Sequence, residues 1–171
     1  MNNMLINDAL EFVRNLFHND YSGHDHFHTL RVYKMATRIA EQENSNLIIV
    51  QLAALLHDVD DIKLSPETIE GKCVQDADRL DAMGAIGIAR AFAYGGNHNR
   101  IIYDPDIKPT VNMNGSQYHN HISTTINHFY EKLFSLKDLM NTDTARRIAE
   151  QREEYMKLYI SEFFEEWDGI R

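Results

Sequence analysis

A chain of 171 residues, 43% hydrophobic and 25% charged, has the composition of an ordinary soluble protein and the length of one domain with one core. Its formal charge of -9 argues against a nucleic-acid polymer as partner, since such binding needs Lys and Arg to neutralise phosphates. A small phosphorylated ligand is compatible with that charge where a bound cation reverses the local field.

No apolar run approaches the roughly 20 residues of a bilayer span, so no membrane is expected as a partner. The N-terminal MNNMLINDAL lacks a basic start and a cleavable apolar stretch. The single cysteine, Cys73, excludes an internal disulfide. Together these features point to a reducing cytoplasm.

In chain order, Asn7 to His18 carries Ala9, Leu10, Val13, Leu16 and Phe17 at helical spacing. Asn-Asp-Tyr-Ser-Gly at 19–23 is a loop signal. His24 to Glu43 reads as a long amphipathic helix, and Leu47 to Val59 is apolar all round, the mark of a helix at the centre of a bundle. Asp76 to Tyr94 is a further helix, stopped by Gly95-Gly96, with Gly84 and Gly87 inside it for close packing against a neighbour. Residues 95–116 read as a loop, and Ser116 to Leu136 and Asp143 to Trp167 as the last two helices. With no β-alternation or repeat, the expected architecture is all-α: a bundle of about six helices forming a single domain over 1–171. The stripe Tyr155, Tyr159, Phe163, Trp167 is core or an association face, the latter available to a second copy in a homodimer.

Chemistry enters where the central helix ends. An apolar body carries its last turn toward the core, yet that turn delivers His57 and Asp58, followed by Asp60 and Asp61. A buried carboxylate is costly without a partner, and a cation offsets that cost. Imidazole nitrogen with carboxylate oxygen suits one divalent metal ion such as Mn, Mg, Ni, Co, Fe or Zn. His28, on the preceding helix, and Asp78, in the first turn of the following one, complete a set of two His and two Asp, provided the connection at 44–46 is short. A second His-Asp pair, His24-Asp25, sits at a polar helix start, where Asp25 serves as a cap.

His-x-x-Arg-Val at 28–32, Leu-Leu-His-Asp-Val at 55–59 and Asp-Ala-Asp-Arg-Leu at 76–80 resemble the HD-domain phosphohydrolase superfamily. Ser-Gly-His-Asp-x-x-His at 22–28, HDVDDIK at 57–63, QDADRLDAMGAIGIAR at 75–90 and HFYEKL at 128–133 are similar to its branch of small bacterial single-domain proteins. That resemblance implies the same four metal ligands, with Mn the leading ion. It also implies hydrolysis of nucleotide phosphate bonds, a nucleoside triphosphate going to monophosphate and pyrophosphate. Phosphomonoester hydrolysis of a nucleoside monophosphate, and nucleotide sensing without turnover, are the other two readings. In that branch further helical turns are expected after HDVDDIK, whereas here only Leu64 to Ile69 precede Glu-Gly-Lys at 70–72.

Under this reading the metal acidifies an attacking water and polarises a phosphoryl oxygen. Lys63 contacts phosphate, and Asp61 orients or deprotonates the water, as acidic residues just after the HD pair do in related hydrolases. His24, one turn before His28, is placed to protonate the leaving group. His128 and Lys132, an i, i+4 pair, are candidate substrate contacts from another helix. Asp76 or Asp81 is expected to support a ligating histidine, and Arg31 and Arg79 to form internal salt bridges.

Overall fold

The computed structural model describes residues 2–18, 25–59, 66–111 and 123–171. Within them seven α-helices form: α1 (Asn2–Leu16), α2 (His26–Gln42), α3 (Leu47–Leu56), α4 (Ile69–Asp81), α5 (Gly84–Asn97), α6 (Thr125–Glu131) and α7 (Asp143–Trp167). A 3-10 helix over Leu133–Leu139 follows α6, and no strand occurs among the described residues.

The chain divides into two compact units. One comprises Met1–Asp81 with Met140–Ile148, the other Ala82–Leu139 with Ala149–Arg171. In the first unit α3 packs against α1, α2 and α4, and α2 also packs against α4. Helix α2 buries Val32, Ala36, Ile39 and Ala40, a stripe at helical spacing, and His28 and Thr29 continue that stripe toward its N-terminus. His28 is therefore buried by its position in the pattern. Asp25 begins the helix, its Oδ1 accepting from the His28 backbone N–H at 2.8 Å, so the cap expected there is present.

The link from α2 to α3 is short. Asn44 takes a positive φ of 51°, and Asn46 caps α3 by accepting from the Ile49 N–H. Helix α3 is less central than its all-apolar sequence suggests: Val50, Ala54 and Leu55 are buried, while Ile49 and Leu56 are 52% and 43% exposed. Hydrophobicity on every face identifies a helix that can be surrounded, and only one side of this one is enclosed.

Helix α4 begins at Ile69, with Thr68 accepting from the Gly71 and Lys72 N–H groups. Asp78 consequently lies in the last turn of this helix and not in its first. Nor does one helix run from 76 to 94. It breaks after Asp81, and α5 starts at Gly84, whose φ of +69° is left-handed. A Cβ on Gly87 would stand 2.3 Å from the Ala82 carbonyl oxygen, so this glycine serves the tight entry to its own helix.

In the second unit, α5 continues through Gly95 and Gly96 to Asn97. Gly95 is helical, and a Cβ there would stand 2.4 Å from Thr125 Oγ1, so the position needs glycine for space; Asn99 supplies the left-handed turn instead, at φ 54°. Thr124 caps α6 by accepting from the Asn127 N–H. The start foreseen at Ser116 falls outside the described residues. The aromatic stripe of α7 is split in role: Tyr159 packs near Phe92 and Phe129, Phe163 packs near Tyr103, and Tyr155 is exposed.

Candidate metal centre

Three helix ends of the first unit meet at one point. His28 comes from the start of α2, His57 is the residue that ends α3, Asp58 follows it, and Asp78 comes from the last turn of α4. His28 Nε2 lies 3.3 Å from His57 Nε2, 3.3 Å from Asp58 Oδ2 and 3.5 Å from Asp78 Oδ1. His57 Nε2 is also 3.3 Å from Asp58 Oδ2. Burial is graded across the group, from His28 at 0% exposure through His57 and Asp58 to Asp78 at 48%. The centre thus has a dry side and a wet side.

The remaining ring nitrogens define what these atoms offer. His57 Nδ1 is 2.8 Å from the Ala54 carbonyl oxygen, which can only accept, so Nδ1 carries the proton. His28 Nδ1 is 2.7 Å from Asp81 Oδ2, an ionised carboxylate, so it too is a donor. In the neutral rings both Nε2 atoms then present lone pairs, and they face each other and the Asp58 carboxylate. Acceptors in van der Waals contact repel unless positive charge lies between them. Nitrogen and oxygen donors at about 2.0–2.2 Å from a divalent ion lie roughly 3.0–3.5 Å from one another, which is the spacing seen. His28, His57 and Asp58, with donor atoms all within 4.8 Å of one another, could hold a metal ion.

Support comes from behind His28. Arg31, one turn along α2, donates from Nε to Asp81 Oδ1 at 2.7 Å and from Nη2 to Oδ2 at 3.0 Å. Burial acts to raise the Asp81 pKa, but the hydrogen bonds from His28 and Arg31 outweigh it and hold the group well below the usual carboxylate range. Of the two carboxylates considered as support, Asp81 is the one hydrogen-bonded to His28. Its signal in the sequence is its place four residues after Ala77, on the buried stripe of α4. Asp76 is fully buried and turned elsewhere, accepting from the N–H groups of Asn141 and Thr142, from Asn141 Nδ2 and from Thr142 Oγ1. That partnership spans 65 residues of sequence and no local pattern announces it. Arg31 and Arg79 form internal ion pairs as expected, with Asp81 and Asp76 respectively.

His24, Asp61 and Lys63 lie outside the described residues. His128 and Lys132 belong to the second unit. Burial, then the charges of Lys132 and Arg100, lower the His128 pKa from 6.5 to about 4, against a smaller opposing influence of Glu131.

An all-helical chain with an HD pair at a helix end and flanking His and Asp from neighbouring helices has the character of an HD domain. The HD domain family model matches residues 26–66, which contain His28 and the His57-Asp58 pair. The chain belongs to the HD superfamily. It is 33% identical to Bacillus subtilis YpgQ, an uncharacterized protein, with 93% of this chain and 92% of YpgQ covered. An HD-superfamily hydrolase from Bacillus thuringiensis is similar at 42% identity and a TM-score of 0.81, with 98% of this chain and 99% of that one covered. A crystal structure of YpgQ in complex with ADP matches at 34% identity, a TM-score of 0.78 and 97% coverage of both chains. The alignment with YpgQ runs over 204 positions, more than the 171 residues present here, so YpgQ carries stretches without a counterpart in this chain.

Proposed function

We propose that this chain is a metal-dependent phosphohydrolase acting on nucleotides, and that it cleaves a nucleoside triphosphate to monophosphate and pyrophosphate. The observation that carries the reading is the convergence of His28 Nε2, His57 Nε2 and Asp58 Oδ2, three acceptors with a cation's spacing, with Asp78 Oδ1 beside His28 Nε2. The nucleotide class is supported by the ADP bound to YpgQ.

In this reading the four side chains are the metal ligands, and a divalent ion there, Mn foremost, supplies Lewis acidity to an attacking water and a phosphoryl oxygen. The Nδ1 hydrogen bonds of His57 and His28 leave both Nε2 atoms turned to the ion, and the exposed edge at Asp78 is the side open to substrate. By their places in the motifs, Asp61 orients the water, Lys63 meets the phosphates and His24 protonates the leaving group. His128 and Lys132 are assigned to substrate binding.

A nucleotide panel with Mn, Mg, Ni and Co, with pyrophosphate and orthophosphate detected separately, tests the proposal. Metal-stimulated pyrophosphate release is the expected result. Orthophosphate from monophosphates would replace it with a phosphomonoesterase, and no turnover on any nucleotide would leave a sensing module.

A further inference from the structure

The two imidazoles of the centre are held in unlike ways. His57 Nδ1 donates to a neutral acceptor of its own helix, the Ala54 carbonyl. His28 Nδ1 donates to Asp81, a carboxylate from another helix that is only 5% exposed and is gripped from its far side by the planar fork of Arg31. Helix α2 therefore supplies both His28 and, three residues on, the clamp Arg31. Helix α4 supplies both Asp78 and, three residues on, the support Asp81. One face of each helix carries a group for the centre and a group for its backing.

A free neutral imidazole prefers its proton on Nε2, the atom that here faces Asp58, Asp78 and His57. A proton in that place would block the lone pair. We infer that Arg31 and Asp81 act as positioning residues that lock His28 in its Nδ1-protonated tautomer and aim Nε2 at the metal centre. The inference rests on the metal reading above and adds to it a device for one specific ligand. The fork fixes the carboxylate plane, since Nε and Nη2 each take one oxygen, and Oδ2 is left directed at the ring. An anionic acceptor also strengthens the donor power of the opposite ring nitrogen, so His28 becomes the stronger donor of the two histidines.

The alternative is that Asp81 and Arg31 merely tie α2 to α4. Two measurements on the whole chain separate these. Long-range 1H–15N correlation spectra of metal-free, 15N-histidine-labelled protein at alkaline pH report which nitrogen of His28 carries the proton. Titration calorimetry with Mn2+ reports affinity. Wild type should show His28 protonated on Nδ1. Asp81→Ala should move the proton to Nε2 in a large fraction of molecules and weaken Mn2+ binding roughly 10- to 100-fold. Asp81→Asn, which keeps volume and a carbonyl acceptor and guards against a misfolded alanine variant, should restore the Nδ1 tautomer with intermediate affinity.

A wild type with His28 protonated on Nε2 overturns the inference. So do folded Asp81 variants whose tautomer and affinity match wild type, and that outcome leaves the metal reading standing. A wild type that binds no Mn2+ overturns both.

Discussion

At the scale of single residues, the centre makes unequal demands on its members. Asp58 contributes an acceptor close to both imidazoles, so its loss leaves two lone pairs facing each other with less charge to hold a cation. Asp58→Ala should abolish nucleotide turnover and weaken Mn2+ binding by at least about 100-fold, beyond the roughly 10- to 100-fold of a lost supporting hydrogen bond. Calorimetry alongside circular dichroism checks it; tight binding in a folded variant would remove Asp58 from the ligand set.

His128 offers a pH-dependent test of the second unit. Folded, it titrates at about 4 against 6.5 ordinarily, so between those values the unfolded chain holds a proton that the folded chain does not. Stability from this group is therefore full above about pH 6.5 and is lost as pH falls toward 4, with a slope of up to roughly 1.4 kcal/mol per pH unit. Lys132 and Arg100 disfavour the charged ring, and Glu131 favours it less strongly. In His128→Gln, urea midpoints measured across that window should fall less steeply than in wild type; parallel curves would contradict the account.

At the scale of elements, apolar stripes made the helices legible and their bounds less so: α1 begins at Asn2 and not Asn7, α3 ends at Leu56 and not Val59, and α7 begins and ends where its pattern does, at Asp143 and Trp167. The same reading placed His28 and Asp78 on helices that meet at the end of α3, where His57 and Asp58 lie, because spacing within a helix and a short α2–α3 link constrain them strongly. Three further features escaped it. The break between α4 and α5 depends on the left-handed φ of Gly84, and a glycine in an apolar run does not declare its conformation. The glycine at 95 makes room for Thr125, a contact distant in sequence, and does not end its helix. The start of α7 is anchored by Asp76, 65 residues from Asn141, and that acidic residue sits beside Asp78 in the sequence with nothing to separate their tasks.

The anchor is also testable. Asp76→Ala would strip four donated hydrogen bonds from a fully buried site and leave the Asn141 and Thr142 N–H groups without their acceptor. A loss of roughly 2–4 kcal/mol in unfolding free energy is expected from the missing cap and the desolvated donors. Denaturant titration measures it, and a change under about 0.5 kcal/mol, the range of ordinary surface substitutions, would refute it.

At the scale of the molecule, the described residues include no helix long and apolar enough to cross a membrane. The four proposed ligands all belong to the unit built from Met1–Asp81 and Met140–Ile148. A cation that binds only the folded state adds stability by mass action, about 2.7 kcal/mol at a hundred times its dissociation constant. Saturating Mn2+ should accordingly raise the melting temperature, and a chelator should reverse the rise. Hydrogen exchange should slow most at the ends of α2, α3 and α4 that carry His28, His57 and Asp78. Uniform slowing across both units, or none, would count against this location.

His28 is tethered at two atoms: its backbone nitrogen to Asp25 and its Nδ1 to Asp81. A side chain so immobilised has little rotational freedom left to surrender when an ion arrives. The entropy of ordering it is spent during folding, so an ion arriving there would meet a ligand already in place.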